Sequence, residues 1–225
     1  MSAKVIYIDL GLKEYKEAWD IQEMYHSKLL AGKDKNDSNA GTLIFCEHPH
    51  VYTLGKSGQQ NNLLVNNDFL KKINATYYKS NRGGDITYHG PGQLVGYPIF
   101  DLEKLKLGVK DYIHLLEHSI IDTLKEYNIS ATRLEKATGV WLDAGTEKAR
   151  KICAIGVRVS KAVTMHGFAL NINTDLKYFS YINPCGFIDK SVTSIQKELS
   201  KEISTQEVKT ILKKRIEHIF SLSIQ

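Results

Sequence analysis

The stretch TGVWLDAGTEKARKICAIGVRVS, residues 138–160, decides the fold class of this chain. It contains two strand-like runs, TGVWL at 138–142 and ARKICAIGVRVS at 149–160, separated by the turn-rich segment DAGTEK. Valine, isoleucine and tryptophan favour β-strands, whereas glycine and aspartate favour the turn between them. We therefore expect two strands that follow one another without an intervening helix.

Amphipathic helices are predicted on both sides of this stretch. Each candidate has apolar residues at the three- and four-residue spacing of a helix. The three candidates are EYKEAWDIQEMYHSKLL (14–30), DYIHLLEHSIIDTLKEYNI (111–129) and VKTILKKRIEHIFSL (208–222).

Further strands and loops complete the outline. Strands are predicted for KVIYIDLG (4–11) and for TLIFCEHPHVYTLG (42–55), the latter bent at Pro49. The segments AGKDKNDSNAG (31–41) and SGQQNNLLVNND (57–68) are polar and predict loops. Helices and strands that do not alternate as βαβ units predict an α+β (α/β) fold, with a mixed or mostly antiparallel sheet and flanking helices.

Length and composition favour one domain. The chain has 225 residues, of which 42% are hydrophobic and 24% are charged. A chain of this length can bury a substantial core, so we expect a single domain spanning residues 1–225. From about residue 200 the chain is richer in lysine and glutamate, which leaves open a small C-terminal helical appendage.

The charge pattern gives little support to a nucleic-acid partner. The net charge of +5 is mildly basic and by itself indicates an acidic partner only weakly. The lysines are spread along the chain, and the sequence contains no Walker loop, dinucleotide fingerprint or paired C-x-x-C motif. We therefore expect no nucleic acid among the partners.

The expected location is the cytoplasm. No apolar run approaches the ~20 residues of a membrane span, and the run in MSAKVIYIDLG is too short for a signal peptide. The three cysteines are scattered and odd in number, which is poor material for a disulfide framework and favours a reducing compartment.

One of the three cysteines has an unusual setting. Cys46 and Cys153 lie in apolar runs, where cysteine is usually a small buried hydrophobic residue. Cys185 lies between Pro184 and Gly186, which would present its thiol on a bend. Two interpretations stay open from the residues alone: a reactive thiol, or a turn whose cysteine fills a gap.

A nucleophilic thiol needs a base or a positive neighbour that favours the thiolate. His89 and His166 are candidates, and Lys151 is another because it opens the apolar run KICAIGVRV. A desolvated lysine can hold its proton intermittently. The commoner alternative is a lysine at a strand end that extends to water.

The segment CEHPH suggests a metal site only weakly. Alternation along a strand would place Cys46, His48 and His50 on one face, although Pro49 interrupts the strand. No fourth ligand lies nearby in the sequence, so no metal is expected.

A glycine-rich segment, NRGGDITYHGPGQLVGYPIF at 81–100, suits close approach of the backbone to a ligand. Within it, Arg82 could meet an anion and Thr87 could supply a hydroxyl. A hairpin with glycine turns and an exposed arginine is the alternative. Together with AIG (154–156) and MHGFALNI (165–172), the segment would form a slot for an extended alkyl group.

These segments carry a family resemblance. EHPHVYTLG, RGGDITYHGPGQLVGYPI, GVW, RKICAIGVRV, VTMHGFALNINTDLKYFSYINPCG and VTSI occur in this order between Glu47 and Ile195. The sequence resembles the lipoyl(octanoyl) transferases of lipoate biosynthesis. The resemblance implies a fold like that of biotin and lipoate protein ligases.

The resemblance also implies residue roles. Cys185 matches the nucleophile that carries the acyl group as a thioester, and Lys151 matches the lysine that lowers the pKa of the thiol and moves protons. Arg82, Gly83, Gly84, Asp85, Ile86, Thr87, Tyr88 and His89 match the substrate-binding loop. Ala154, Ile155, Gly156, Gly167, Phe168 and Ala169 complete the acyl pocket.

The implied reaction moves an octanoyl group from octanoyl-acyl carrier protein to a lysine of lipoyl domains. The acceptors would be oxo-acid dehydrogenase subunits and the glycine-cleavage H protein, and a monomer is the simplest expectation. No cofactor is expected because a thioester donor is already activated. Alternatives are an ATP-dependent lipoate or biotin protein ligase of the same fold, and a non-catalytic binding protein for acylated carriers.

Overall fold

The structure, a computed structural model, describes residues 2–33, 39–183 and 191–225. Its helices are α1 (Tyr15–Ala31), α2 (Asn67–Lys72), α3 (Val109–Lys125), α4 (Ile195–Leu199) and α5 (Thr205–Ile219). Its strands are β1 (Ala3–Leu12), β2 (Asn39–Glu47), β3 (Val51–Leu54), β4 (Thr76–Lys79), β5 (Ile86–His89), β6 (Gln93–Phe100), β7 (Thr132–Leu134), β8 (Ala137–Leu142), β9 (Arg150–Ser160), β10 (Val163–Asn171), β11 (Ser191–Val192) and β12 (Leu222–Ile224). Short 3₁₀ helices span Gln60–Asn62 and Leu176–Tyr181.

The strands form a large sheet and a small one. The large sheet has the order β12-β1-β2-β6-β10-β9-β8-β7, with β11 beside β9, and the small sheet has the order β4-β3-β5. The pairs β1–β2, β1–β12, β9–β11 and β3–β4 are parallel, and the other pairs are antiparallel. The predicted α+β fold with a mixed sheet and flanking helices is therefore confirmed.

The strand predicted to bend at Pro49 becomes two strands in different sheets. β2 pairs with β1 and β6 in the large sheet, whereas β3 pairs with β4 and β5 in the small sheet. Proline lacks the N–H that a central strand needs, so the ladder ends there and the chain changes sheet. The small sheet is in this way held beside the large one.

The loop predicted for residues 57–68 ends earlier than expected. α2 begins at Asn67, because the side chain of Asn66 accepts a hydrogen bond of 2.9 Å from the backbone N–H of Phe69. Asparagine at this position satisfies one of the N–H groups that a helix start leaves without partners. The prediction of a loop at residues 67 and 68 was wrong for this reason.

The helices cover both faces of the large sheet. The main core joins α3 and α5 to the sheet, and it includes Leu116, Ile120, Leu212 and Ile216. A second core lies under α1, around Ala18 and Leu29. Each fully buried Leu or Ile contributes about 1.5–3 kcal/mol, so both layers contribute substantially to the free energy of unfolding.

The C-terminal residues are joined to the N-terminal strand. β12 pairs with β1, and the ammonium of Lys209 on α5 lies 3.0 Å from a carboxylate oxygen of Asp9 on β1. The division of the chain near residue 200 stays a prediction. Within residues 2–33, 39–183 and 191–225, no helix is long and apolar enough to cross a membrane.

Candidate active site

A cavity of about 430 Å³ is bordered by both sheets and by helices α1 and α3. Its floor consists of residues from three adjacent strands, β6, β10 and β9, and the loop before β5 forms a wall. The residues that line it include the exposed Lys136, Thr138 and Ser191 and the buried Tyr15 and Tyr97.

Most residues predicted for the site meet at this cavity. Those that line it are Arg82, Gly83, Gly84, Asp85, Ile86, Thr87, His89, Lys151, Ala154, Ile155, Gly156, Gly167, Phe168 and Ala169. Tyr88 is placed elsewhere: it packs in the core of the small sheet, and its hydroxyl lies 2.7 Å from Nδ1 of His50. The predicted nucleophile Cys185 lies outside the described residues.

The direction of Lys151 depends on a β-bulge in β9. Val140 of β8 pairs with Cys153, but the next residue, Trp141, pairs with Lys151, so β9 contains one extra residue, Ile152. Side chains alternate between the faces of a regular strand, and an inserted residue reverses the alternation beyond it. Ile152 and Cys153 are accordingly both buried in the main core, whereas Lys151 lines the cavity.

Lys151 lies near residues 182 and 191, which flank the segment that contains Cys185 in the sequence. Its Nζ is 4.6 Å from the centre of the Trp141 ring, a distance typical of a cation–π contact. Val192 pairs with Lys151 across β11 and β9. Ile182 and Ser191, on either side of residues 184–190, line the same cavity.

A cluster of ionic and hydrogen bonds fixes β11 to β9. The guanidinium of Arg150 donates two hydrogen bonds of 2.7 Å to the carboxylate of Glu198, a geometry that adds orientation to the charge attraction. The backbone N–H of Thr193 donates to the carbonyl of Lys151 at 2.9 Å, and the hydroxyl of Thr193 donates to the carboxylate of Glu198 at 2.5 Å. The backbone around Lys151 is therefore firmly held.

Two amide side chains form the polar part of the floor. Nε2 of Gln93 donates to Oδ1 of Asn171 at 2.8 Å and to the carbonyl of Tyr88 at 3.2 Å. The amide oxygen of Gln93 therefore accepts from Nδ1 of His89, at 2.7 Å. This places the proton of a neutral His89 on Nδ1.

Arg82 stabilises the wall of the cavity through hydrogen bonds. Its guanidinium is buried and donates to Thr53 Oγ1 at 2.9 and 3.1 Å and to the Gly83 carbonyl at 3.0 Å. Thr53 Oγ1 accepts from Arg82, so the hydroxyl proton of Thr53 is directed to Nε2 of His89, 3.5 Å away. Burial, followed by the nearby His48 and Arg82, lowers the pKa of His89 to about 3.

Residue 156 must be a glycine because the wall, at Gly83, lies very close to the backbone of β9. The N–H of Gly83 donates to the Val157 carbonyl at 2.9 Å, and a Cβ built on Gly156 would lie 2.9 Å from the Gly83 carbonyl oxygen. Contacts this short force a shift of the backbone. A side chain at residue 156 would displace the wall from the floor.

The cysteine and histidine residues of CEHPH have separate environments. Cys46 and Cys153 are buried, as predicted, and burial raises the pKa of each thiol. Nδ1 of His48 donates to the Lys13 carbonyl at 2.6 Å. His50 stacks on Tyr178 with ring centres 4.1 Å apart. Across the described parts of the chain, no three His, Cys, Asp or Glu side chains are grouped to hold a metal ion.

A family model matches nearly the whole chain. The model of the lipoyl protein ligase A/B catalytic domain matches residues 14–217. The chain belongs to this family. The match includes the loop before β5, the hairpin β9–β10 and Lys151, so the cavity lies within the family's catalytic domain.

Relatives from this family are similar over most of their length. The octanoyltransferase of Bacteroides thetaiotaomicron is 58% identical over 206 residues, which cover 92% of this chain and 91% of that protein. The octanoyltransferase of Flavobacterium psychrophilum is 53% identical over 223 residues, 96% of each chain. In the solved structure of an archaeal lipoylation system, the lipoate protein ligase of Thermoplasma acidophilum matches with a TM-score of 0.74 and 15% identity, over 100% of this chain and 86% of that one. This last likeness shows that the fold is shared.

Several residues that line this cavity were not singled out from the sequence, although Gln93, Tyr97 and Asn171 lie within the segments 81–100 and 165–172 predicted to form the slot. Tyr15, Tyr97, Trp141, Gln93 and Asn171 line it. The alternation Gln93, Val95, Tyr97 within β6 was a usable signal, because residues two apart share one face of a strand. The pairing of Gln93 with Asn171 could not be found in this way, since the two residues lie on strands whose register is set by the fold.

Acid should destabilise this lipoyl protein ligase A/B domain through its buried histidines. Burial is the largest cause that lowers the pKa of His89 and His166 to about 3 and of His48 to about 4. The unfolded histidines take up protons below about pH 6.5, whereas the folded ones stay neutral. Stability is therefore lost as the pH falls below 6.5, by about 1 kcal/mol per histidine between pH 6 and 5.

Urea unfolding at pH 7.5, 6 and 5 measures this effect. His89→Gln should reduce the loss of unfolding free energy between pH 6 and 5. The control is His114→Gln at an exposed position, which should leave the loss unchanged. Equal pH dependence in both variants would contradict the assignment to buried histidines.

Proposed function

We propose that this chain is an octanoyltransferase of lipoate biosynthesis, which moves an octanoyl group from acyl carrier protein to a lysine of lipoyl domains. The observation that carries the proposal is the identity of 58% and 53% with two octanoyltransferases, over more than nine-tenths of each chain. The acceptors are lipoyl domains of oxo-acid dehydrogenase subunits and the glycine-cleavage H protein. The cavity supports the proposal because a floor of small residues suits an alkyl chain.

In the proposed reaction, Cys185 and Lys151 act together. Lys151, neutral at that moment, accepts the thiol proton of Cys185, and the thiolate attacks the carbonyl carbon of the donor thioester. The bond from that carbon to the carrier sulfur then breaks. The departing thiolate takes the proton from Lys151, which leaves an octanoyl thioester on Cys185.

In the second half of the reaction, the amine of the acceptor lysine attacks this thioester. Lys151 accepts a proton from the amine, the bond from the carbonyl carbon to the Cys185 sulfur breaks, and Lys151 returns this proton to the departing sulfur. The position of Lys151 supports these roles. It lines the cavity and pairs with β11, and β11 begins at Ser191, six residues after Cys185 in the chain. The segments 82–89, 154–156 and 167–169 are proposed to bind the substrate.

A ligase of the same fold is the second candidate. The lipoate protein ligase of Thermoplasma acidophilum has a TM-score of 0.74 to this chain, although only 15% of residues are identical. A ligase would need ATP to activate a free acid and would not need a thiol at residue 185. Dependence on ATP and on Cys185 therefore distinguishes the two candidates.

An intact-mass measurement tests the proposed function. After incubation with octanoyl-acyl carrier protein and no ATP, we expect one octanoyl group on the wild-type chain. Cys185→Ala should carry none, because the acyl acceptor is gone. Cys153→Ala is the matched control: its thiol is buried in the core, so the adduct should persist in this variant.

Transfer to a lipoyl domain completes the test. Octanoyl transfer without ATP that disappears in Cys185→Ala supports the octanoyltransferase. Transfer that requires ATP and survives in Cys185→Ser would favour the ligase instead. Octanoyl-carrier binding without any transfer would favour a non-catalytic binding protein.

A further inference from the structure

We propose that Tyr97 closes the inner end of the cavity and thereby sets the longest acyl chain that the enzyme accepts. This inference rests on the proposed function and adds to it a residue that determines chain length. It follows from the arrangement of the floor, the burial of one end and the hydrogen bonds that hold the tyrosine in place.

The side chains on the floor of the cavity change from polar to apolar along the direction of the strands. The polar pair Gln93 and Asn171 is followed, two residues along each strand, by Val95 beside Ala169. Ala169 in turn pairs with Ala154 on β9. This second row is apolar and made of small side chains, so it leaves room above the sheet.

Tyr97 stands at the next position on the same face of β6. It is two residues beyond Val95, lines the cavity and is only 4% exposed. On β9 the corresponding position is Gly156, two residues beyond Ala154, and it has no side chain. The small side chains of the floor therefore end at a large aromatic ring.

The acyl tail is expected to point toward Tyr97 because that end is buried. Tyr15 and His166, which line the cavity there, are each 2% exposed. At the opposite end of the floor, beyond Gln93 and Asn171, the cavity is lined by Lys151 and by Ser191, which is exposed. Transfer of apolar surface from water favours the buried end for the methylene groups of the tail, and the exposed end remains for the carrier.

The inner wall is held by outward hydrogen bonds. The hydroxyl of Tyr97 donates to Nε2 of His48 at 2.7 Å, since Nδ1 of His48 donates to the Lys13 carbonyl. The hydroxyl of Tyr15 lies 3.2 Å from Ser80 Oγ, and Nε2 of His166 lies 2.6 Å from Asn81 Oδ1. A ring anchored in this way cannot turn aside for a longer chain without breaking a buried hydrogen bond.

The length of the floor agrees with a medium-length acyl group. Gln93 and Tyr97 are four residues apart on β6, which corresponds to about 13 Å along a strand. An extended eight-carbon chain is about 9 Å long at ordinary bond lengths. A chain four carbons longer would need the space that the Tyr97 ring fills.

The test compares acyl lengths in the complete chain. The specificity constant kcat/KM for transfer is measured with octanoyl-, decanoyl- and dodecanoyl-acyl carrier protein on wild type, Tyr97→Ala and Tyr97→Phe. Tyr97→Ala should raise the ratio of dodecanoyl to octanoyl kcat/KM by about tenfold or more, because the new space can bury further methylene groups. Tyr97→Phe keeps the ring and should leave the ratio within about twofold.

Two outcomes would overturn the proposal. One is an unchanged ratio in a folded Tyr97→Ala variant. The other is an equal rise in Tyr97→Phe, which would assign the effect to the hydrogen bond and not to the volume of the ring. If Tyr97→Ala does not fold, Tyr97→Leu opens less space and should still raise the decanoyl to octanoyl ratio, by about fourfold; no rise would count against the proposal.

A binding measurement separates this proposal from the proposed function. Dissociation constants of free octanoate and dodecanoate are measured by calorimetry on wild type and Tyr97→Ala. If no acyl group is transferred from any carrier, the proposed function fails. A rise in relative dodecanoate affinity in the variant would then still support Tyr97 as the end of the cavity, and no rise would overturn it.

Discussion

Replacing Lys151 with methionine is expected to lower kcat/KM for octanoyl transfer by about 10²–10⁴-fold, the range typical of losing a general acid–base group. Methionine keeps most of the length and apolar volume of the side chain but cannot accept or donate the proton. Because Lys151 lies on a strand that is fixed on both sides by β8 and β11, we expect the fold to persist. The rate is measured with octanoyl-acyl carrier protein and a lipoyl domain.

Two other variants test whether a loss of rate comes from proton transfer by Lys151. Lys148→Met removes an exposed lysine three positions away and should keep the wild-type rate. Lys151→Arg keeps the positive charge but cannot exchange its proton at neutral pH, so it should be nearly as slow as Lys151→Met. A Lys151→Met enzyme with more than one-tenth of the wild-type rate would contradict the proposed role.

The largest effect on stability is expected for Gly167→Ala. A Cβ at this position would lie 2.1 Å from the Gly96 carbonyl oxygen and 2.6 Å from Cδ of Pro98, both on the neighbouring strand β6. Backbone atoms cannot rotate away as a side chain can, so β10 and β6 must separate. We expect the free energy of unfolding to fall by about 3 kcal/mol or more.

Urea unfolding of the wild type and two alanine variants measures this difference. The matched control is Gly32→Ala, where an added Cβ would meet only carbonyl oxygens, at 3.5 and 3.7 Å. Its free energy of unfolding should change by less than about 1 kcal/mol. A loss below that value in Gly167→Ala as well would show that β10 can move away from β6 at little cost.

Gly167 also illustrates what the sequence can and cannot reveal. The resemblance assigned it to the acyl pocket, and it does line the cavity. The clash that forbids a side chain, however, is with β6 and not with the space for a ligand. Small residues in a sequence indicate close approach, but they do not indicate what approaches.

The local elements were the most predictable part of the fold. Periodicity identified α1, α3, α5 and the strands β1, β8 and β9, because it depends on residues close in the chain. The assignment of β2 and β3 to different sheets, and the pairing of β10 with β6, depend on residues far apart in the chain. Alternation shows which face a residue occupies, but not which strand lies beside it.

The candidate site was predicted through its motifs more than through its packing. The glycine-rich loop and the hairpin β9–β10 were found because unusual residues cluster there. Tyr15 and Tyr97 were not named as site residues because an aromatic residue in a helix or a strand is most often part of the core. Only the three-dimensional arrangement shows that their rings also border the cavity.

The extra residue in β9 has a consequence for how homologous chains should be compared. Loss of Ile152 by a deletion would leave a regular strand in which Lys151 directly precedes Cys153, and because Cys153 faces the core, Lys151 would still face the cavity. A homologous chain with one residue fewer at this point can therefore keep its lysine in the same place. Alignments should allow a one-residue gap opposite Ile152, since an ungapped alignment would shift that lysine out of register.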